Sequence, residues 1–379
     1  MQKKEWWYPT AFKSWGPEEY AAVERVKASD QWTMGPETEA LEFEFAVYHG
    51  MKHAICTNSG SSANLLSVAA LFHKKDNPLR SGDKAALPAI AWSTTYSPCV
   101  QYGLDLQIMD CGADWNARGT VNGDDPPRLV VFCSVLGNPS GALRAQSKNI
   151  ADYTINDNCE SLGAWYGPLG EKTWTAQYGT LSTHSFFHSH QLSGAECGAI
   201  LTNDDELARL CRLLRNHGNE GFLSADVPFE ESYLFSLFGY NVRPAEVHCA
   251  IAREQLKKLE TMCRYRQANF NNFETACLGL PIQVPPKLRN AVRSPFGFNF
   301  TVESQDVRAK LVDAFRRNSI DCRLPTGGSF TQHPYGRKWA DQQTPNADRV
   351  HSTGLFLGLA PFEMSDKIER AVRIMRETL

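Results

Sequence analysis

The 379-residue sequence has no run of basic residues, no C-x-C or C-x-x-C pair, no G-x-G-x-x-G or P-loop pattern, and no apolar stretch that could cross a bilayer. Each absence removes a class of function. The 39 Lys and Arg are scattered among 42 Asp and Glu, so a net charge of -3 offers no polybasic surface. Neither nucleic acid nor a membrane is an expected partner. The longest apolar stretch, Leu129 to Gly137, falls far short of the roughly 20 residues that a spanning helix needs. The start, Met1-Gln2-Lys3-Lys4-Glu5-Trp6, carries charges with no apolar stretch behind them, so no signal peptide is expected and the cytoplasm is the expected compartment. The eleven cysteines are odd in number and widely spaced, several within apolar segments such as Val130-Val131-Phe132-Cys133. They read as free buried thiols, with no spacing for a zinc site or an iron–sulfur cluster.

What is present is a large core in an ordered alternation. With 42% apolar residues the chain suits two domains. Ala54–Thr57, Lys84–Pro88, Leu106–Met109, Leu129–Val135 and Tyr153–Asn156 predict strands, and Ser61–His73 a helix. That is α/β alternation with a mixed, mostly parallel sheet. After a strand at Gly198–Leu201 the pattern turns helical, at Asp204–Asn216, Pro244–Leu259 and Glu260–Cys277. Strand Gly297–Val302, helix Gln305–Asn318, strand Leu355–Leu359 and helix Ser365–Leu379 then predict a smaller α+β unit. The boundary is placed between 240 and 260, giving a large domain at 1–245 and a small one at 246–379, with no linker, repeat or low-complexity stretch.

Four segments carry the chemistry. Thr57-Asn58-Ser59-Gly60-Ser61-Ser62-Ala63-Asn64 lies between a strand and a helix, where free amide groups at the positive helix end can cradle an anion, most simply phosphate. A plain Ser cap explains the same residues. Asp157, at the carboxyl end of a predicted buried strand, could hold a pyridine nitrogen protonated, or cap the following turn. Trp92, in Pro88-Ala89-Ile90-Ala91-Trp92-Ser93-Thr94-Thr95-Tyr96, could stack on a flat cofactor or fill core. The last segment, Gly179 to Gln191, contains His184, His188 and His190 and alternates like a strand followed by a turn. With no acidic residue or cysteine at ligand spacing, no metal is expected there.

Anion loop, aromatic loop, strand-end Asp and then Ser185-Phe186-Phe187-His188-Ser189-His190 occur in an order that resembles the sugar aminotransferase and dehydratase family of the aspartate aminotransferase fold. Trp32-Thr33-Met34-Gly35-Pro36-Glu37, Arg215-Asn216-His217-Gly218 and Gly239-Tyr240-Asn241-Val242-Arg243-Pro244 extend the likeness through nearly the whole chain. His190 stands where most relatives carry the lysine that anchors pyridoxal phosphate, and histidine cannot form that Schiff base. The resemblance therefore implies the 3-dehydratase branch, also indicated by Leu136-Gly137-Asn138-Pro139 and Asp157-Asn158-Cys159-Glu160-Ser161.

By position, the resemblance implies that Ser59, Gly60, Ser61 and Ser185 hold the cofactor phosphate, Trp92 stacks on the ring and Asp157 pairs with its nitrogen. Asn241 would reach the phosphate in a neighbouring subunit, which implies a homodimer. The implied cofactors are pyridoxal and pyridoxamine phosphate, with L-glutamate as amino donor and His190 as base and then acid. The implied substrate is a nucleotide-linked 4-keto-6-deoxyhexose, GDP-4-keto-6-deoxymannose first, which loses its 3-hydroxyl as ammonia is released. A CDP-4-keto-6-deoxyglucose enzyme stands second, because that branch adds an iron–sulfur cluster. An aminotransferase and an inactive cofactor-binding partner are further alternatives. The sequence departs from the family at Gln191, at Gly194-Ala195-Glu196-Cys197-Gly198 and at Thr326-Gly327-Gly328-Ser329-Phe330, all expected near the substrate side.

Overall fold

The structure is a computed structural model that describes residues 5–118, 126–146, 150–168, 171–223 and 227–379; the charged start, Met1–Lys4, lies outside them. In chain order come α1 (Pro17–Ser29), α2 (Pro36–His49), β1 (His53–Thr57), α3 (Gly60–Phe72), β2 (Lys84–Pro88), α4 (Ser93–Gln101), β3 (Asp105–Met109) and β4 (Leu129–Cys133). They are followed by α5 (Gly141–Gln146), β5 (Tyr153–Asp157), β6 (Trp165–Tyr166), β7 (Thr173–Trp174), β8 (Leu181–Ser185), β9 (Gly198–Thr202), α6 (Asp205–Arg215) and α7 (Glu246–Ala276). The C-terminal part adds β10 (Ala291–Val292), β11 (Gly297–Thr301), α8 (Gln305–Arg317), α9 (Pro345–Thr353), β12 (Gly354–Gly358) and α10 (Ser365–Thr378).

The main sheet runs β1-β9-β8-β5-β4-β2-β3, and β9 is antiparallel to both of its neighbours while the other pairs that do not involve it are parallel. All other strands therefore end on one edge, where ligands bind in open α/β sheets. β4 (Leu-Val-Val-Phe-Cys) and β5 are buried along their whole length, as strands covered on both faces must be. Local signals set the helix starts. Ser59 caps α3 by accepting from the Ser62 amide at 3.1 Å, and Asp204 caps α6 by accepting from the Leu207 amide at 3.0 Å.

Helices pack on both faces of the sheet. One core joins Leu66 and Val68 of α3 and Leu207 and Leu210 of α6 to Leu87, Val131 and Ile155; the other joins Leu41 and Phe45 of α2 and Cys249 and Leu256 of α7 to Cys56 and Leu201. A third core lies between β11, β12, α8, α10 and the far half of α7, where Phe298 stacks on Phe273 at 4.3 Å and Tyr8 enters from the N-terminal segment. α7 thus serves two cores.

Three expectations need correction. Pro244–Leu259 and Glu260–Cys277 form one 31-residue helix beginning at Glu246, because no Gly or Pro interrupts them. The segment around Trp92 is loop only up to that residue, since α4 starts at Ser93, and the predicted strand Leu129–Val135 stops at Cys133 before a turn in which Leu136 has φ 49°.

Candidate active site

The carboxyl edge of the sheet opens into a cavity of about 370 Å³ lined by Ser59, Gly60, Ser61, Trp92, Asp157, Ser185 and His190. These come from the ends of β1, β2, β5 and β8, so the topology alone brings together residues that run in sequence from Ser59 to His190. Asp157 is the last residue of β5 rather than the one after it. It is 3% exposed; its Oδ2 accepts from Asn64 Nδ2 at 2.9 Å and Thr95 Oγ1 at 2.7 Å, and its Oδ1 accepts from the Cys159 amide at 3.2 Å. All three partners are uncharged. A buried carboxylate held this way lacks only a cationic partner, which a protonated ring nitrogen supplies.

Below it, the first turn of α3 approaches β8 and β9 closely. A Cβ on Gly60 would lie 2.6 Å from the Ser185 Cβ, and one on Gly198 would collide with the Ser59 backbone. The glycines therefore let the start of α3 sit close against Ser185, and Ser59, Gly60, Ser61 and Ser185 all line the cavity at a helix N-terminus, which suits a phosphate. The Ser61 hydroxyl is paired with Thr94 Oγ1 at 2.7 Å. Trp92 presents an indole that is 58% exposed, a poor core residue and an available flat surface. These residues fit pyridoxal phosphate: anion cradle, ring platform and counter-charge lie in one cavity.

His190 closes the site. Its Nδ1 lies 2.8 Å from the Cys159 carbonyl oxygen, which only accepts, so Nδ1 carries the proton and Nε2 the lone pair. The ring packs edge-on against Phe296 at 5.0 Å, and Arg266 Nη2 of α7 donates to the His190 carbonyl at 3.4 Å. Burial pushes its pKa down to about 4, outweighing the Cys159 bond, so the imidazole is neutral at pH 7. No lysine lines the cavity among the described residues.

Sequence reasoning passed over Asn64 and Thr95, which hold Asp157, and Glu160, which lines the cavity. Glu160 Oε2 accepts from the Leu136 amide and from Thr326 Oγ1, both at 2.9 Å. Burial raises its pKa to about 7 against the pull of those two bonds. Its spacing of three from Asp157, on the same strand-end turn, was the available signal. Gln191, expected near the substrate, is instead 1% exposed and outside the cavity lining, with Nε2 donating to the Glu160 and Ser294 carbonyls. Thr326, Gly327 and Glu196 do reach the cavity. Asn241 is exposed, outside the cavity of its own chain, and its backbone bridges to Asn216.

The profile of the DegT/DnrJ/EryC1/StrS aminotransferase family matches residues 13–376. The chain belongs to that family. Among relatives, it is 32% identical over 397 residues to the GDP-4-keto-6-deoxy-D-mannose 3-dehydratase of Yersinia pseudotuberculosis, with 98% of each chain covered. Among solved structures of the family, the E. coli GDP-4-keto-6-deoxy-D-mannose-3-dehydratase with bound hydrated PLP superposes with a TM-score of 0.90 at 32% identity, covering 98% of this chain and all of that one. A GDP-4-keto-6-deoxymannose-3-dehydratase with a trapped PLP–glutamate geminal diamine gives 0.89 at 32% identity, covering 97% of this chain and 100% of the other. The fold is that of the family's pyridoxal phosphate enzymes, a large α/β unit with a smaller α+β unit.

Proposed function

We propose that this chain is a nucleotide-sugar 3-dehydratase, a lyase dependent on pyridoxal and pyridoxamine phosphate that removes the 3-hydroxyl of GDP-4-keto-6-deoxymannose. L-Glutamate supplies the amino group and ammonia leaves, so the C3 reduction is balanced by oxidation of glutamate to 2-oxoglutarate. The observation that carries the reading is a tautomer-fixed imidazole in a cavity that, among the described residues, no lysine lines. Relatives named for this activity match over the whole chain.

Bound pyridoxamine phosphate supplies an amine for the 4-keto group and a protonated ring that accepts electrons. Asp157 keeps that ring nitrogen charged, with Asn64 and Thr95 holding its carboxylate in place. Ser59, Gly60, Ser61 and Ser185 bind the phosphate, and Trp92 covers the ring. His190 takes a proton at Nε2 and then delivers it to the departing hydroxyl oxygen, one residue serving as base and acid. The Cys159 carbonyl stabilises the imidazolium in between through Nδ1–H. Among the described residues no lysine lines the cavity to compete as a covalent tether.

The reading is tested by incubating purified protein with GDP-4-keto-6-deoxymannose, glutamate and cofactor, following ammonia and sugar mass. A 3-deoxy product with ammonia is expected; a 4-amino sugar, or a borohydride-stable lysine adduct, overturns it.

Asn241 is assigned to the phosphate of a neighbouring subunit in a homodimer. Its exposure supports this, as does the nearby surface where Phe229, Tyr233 and Phe238 are exposed. Light scattering giving a monomer excludes it. The split at 245/246 is likewise proposed, with limited proteolysis as its test. Eleven free cysteines suit a reducing compartment, so the cytoplasm is proposed, to be checked by fractionation. Among the described residues no helix is long and apolar enough to cross a membrane.

A further inference from the structure

The charges of the cavity are unbalanced. Asp157, Glu160 and Glu196 line it, yet among the described residues Arg323 is the single Lys or Arg that does. Asp157 and Glu160 belong to the deep end, beside His190, where the sugar reacts. Arg323 stands apart, with a side chain 63% exposed. Its backbone is fixed by a pair of hydrogen bonds with Phe356, Arg323 N–H to the Phe356 carbonyl at 3.0 Å and Phe356 N–H to the Arg323 carbonyl at 2.8 Å. The residues before it are zipped to the N-terminal segment, where the Asp321 amide donates to the Tyr8 carbonyl at 2.8 Å and Thr10, itself a lining residue, donates Oγ1 to Asp321 Oδ2 at 2.8 Å.

We infer that Arg323 binds the diphosphate of the sugar nucleotide, an assignment that rests on the dehydratase reading above. A diphosphate brings two negative charges into a cavity rim whose other charged side chain, Glu196, repels them. The guanidinium is poised without being consumed: its contact with Asp321 is one bond of 3.4 Å, made by Nη2, while the planar fork has five N–H donors. Phosphate oxygens accept such a fork in pairs, at shorter distance than the present contact. Asp321 then acts as a rest for the side chain in the absence of nucleotide. Glutamate, the other anionic reactant, reacts through its amine at the deep end, which leaves the exposed cation to the diphosphate, the charged part of the sugar nucleotide that lies away from the reacting carbon.

The test compares cofactor-loaded parent, Arg323→Ala and Arg323→Lys in calorimetric binding of GDP and of guanosine, in turnover of GDP-4-keto-6-deoxymannose, and in the glutamate half-reaction read from cofactor absorbance. Arg323→Ala is expected to weaken GDP binding about tenfold or more, the loss of one or two charge-assisted hydrogen bonds. KM for the sugar nucleotide rises by a similar factor, kcat moves far less, guanosine affinity is unchanged, and Arg323→Lys recovers part of the loss. Unaltered GDP affinity and KM overturn the assignment, as does a loss confined to the glutamate half-reaction, which would make Arg323 the carboxylate anchor of the amino donor. A parent protein that binds GDP through Arg323 but does not dehydrate the sugar keeps this site and sinks the dehydratase reading; one that binds no GDP sinks both.

Discussion

The imidazole of His190 is hung from the backbone of Cys159, two residues beyond Asp157 on the same strand-end turn, through a 2.8 Å contact at Nδ1. The chain that positions the electron-sink carboxylate therefore also positions the base. His190→Asn keeps a donor for that carbonyl and removes the lone pair at Nε2. Dehydration is expected to fall by about 10²–10⁴-fold, the usual worth of a positioned acid–base group, with the cofactor still bound. Ammonia release and cofactor absorbance measure the two separately. His190→Lys should lose dehydration too and become trappable by borohydride as a cofactor–lysine adduct.

Asp157 depends on donors from two helices, Asn64 of α3 and Thr95 of α4. Thr95→Val keeps the shape and removes one donor from a buried carboxylate oxygen. Cofactor-free protein should lose about 1–3 kcal/mol, the cost of an unmade bond to a buried group. Bound cofactor should restore part of that by supplying the missing counter-charge. Urea melts of apo and loaded protein check it; equal losses in both would separate Asp157 from the cofactor.

Glu160 has its pKa raised by burial to about 7, above the ~4.3 of an unfolded glutamate. The folded cofactor-free protein thus binds this proton more tightly than the unfolded chain does. Its contribution is fullest below about pH 4.3 and is lost as pH rises through about 7. His190, with a pKa lowered to about 4, acts in the opposite sense: its contribution is present above the unfolded ~6.5 and is lost as pH falls through about 4. Glu160→Gln should remove the stability lost as pH rises from about 4.3 to about 7 and leave the opposing loss from His190 as pH falls. Denaturant midpoints across that range decide it, and an unchanged slope there rules out Glu160 as the source. Two residues with positive φ, Leu136 at 49° and Thr326 at 46°, both donate to the same Glu160 oxygen, so strain is held where the cavity needs that carboxyl fixed.

The strands at 84–88 and 129–133 were legible because each is a short, mostly apolar run, which burial on both faces requires. Helices α1 and α2 were not read, since charged residues interrupt their apolar ones. At the site, Asp157 and the Ser59–Ser61 loop could be read because strand ends and helix starts have local signatures. Asn64 and Thr95 could not: each sits inside a helix, and only the sheet order turns both towards Asp157. Gln191 was misplaced because a position next to His190 in sequence points away from it across the turn closed by the His190 amide on the Phe187 carbonyl.

Ala195 has φ 65°, a left-handed conformation that costs a residue with a Cβ roughly 1–2 kcal/mol. It precedes the cavity-lining Glu196 in a segment where the family resemblance leads one to expect glycines. Ala195→Gly removes the steric cost but frees the unfolded chain, which takes back about 0.5–1 kcal/mol. The net expectation is a gain of up to about 1 kcal/mol, seen as a melting temperature higher by roughly 1–3 °C in a chain of this size. A lower melting temperature would mean that contacts made by the Ala195 methyl outweigh the backbone strain. Because Glu196 follows directly, the same variant should loosen the rim, and KM for the sugar nucleotide should rise more than kcat falls.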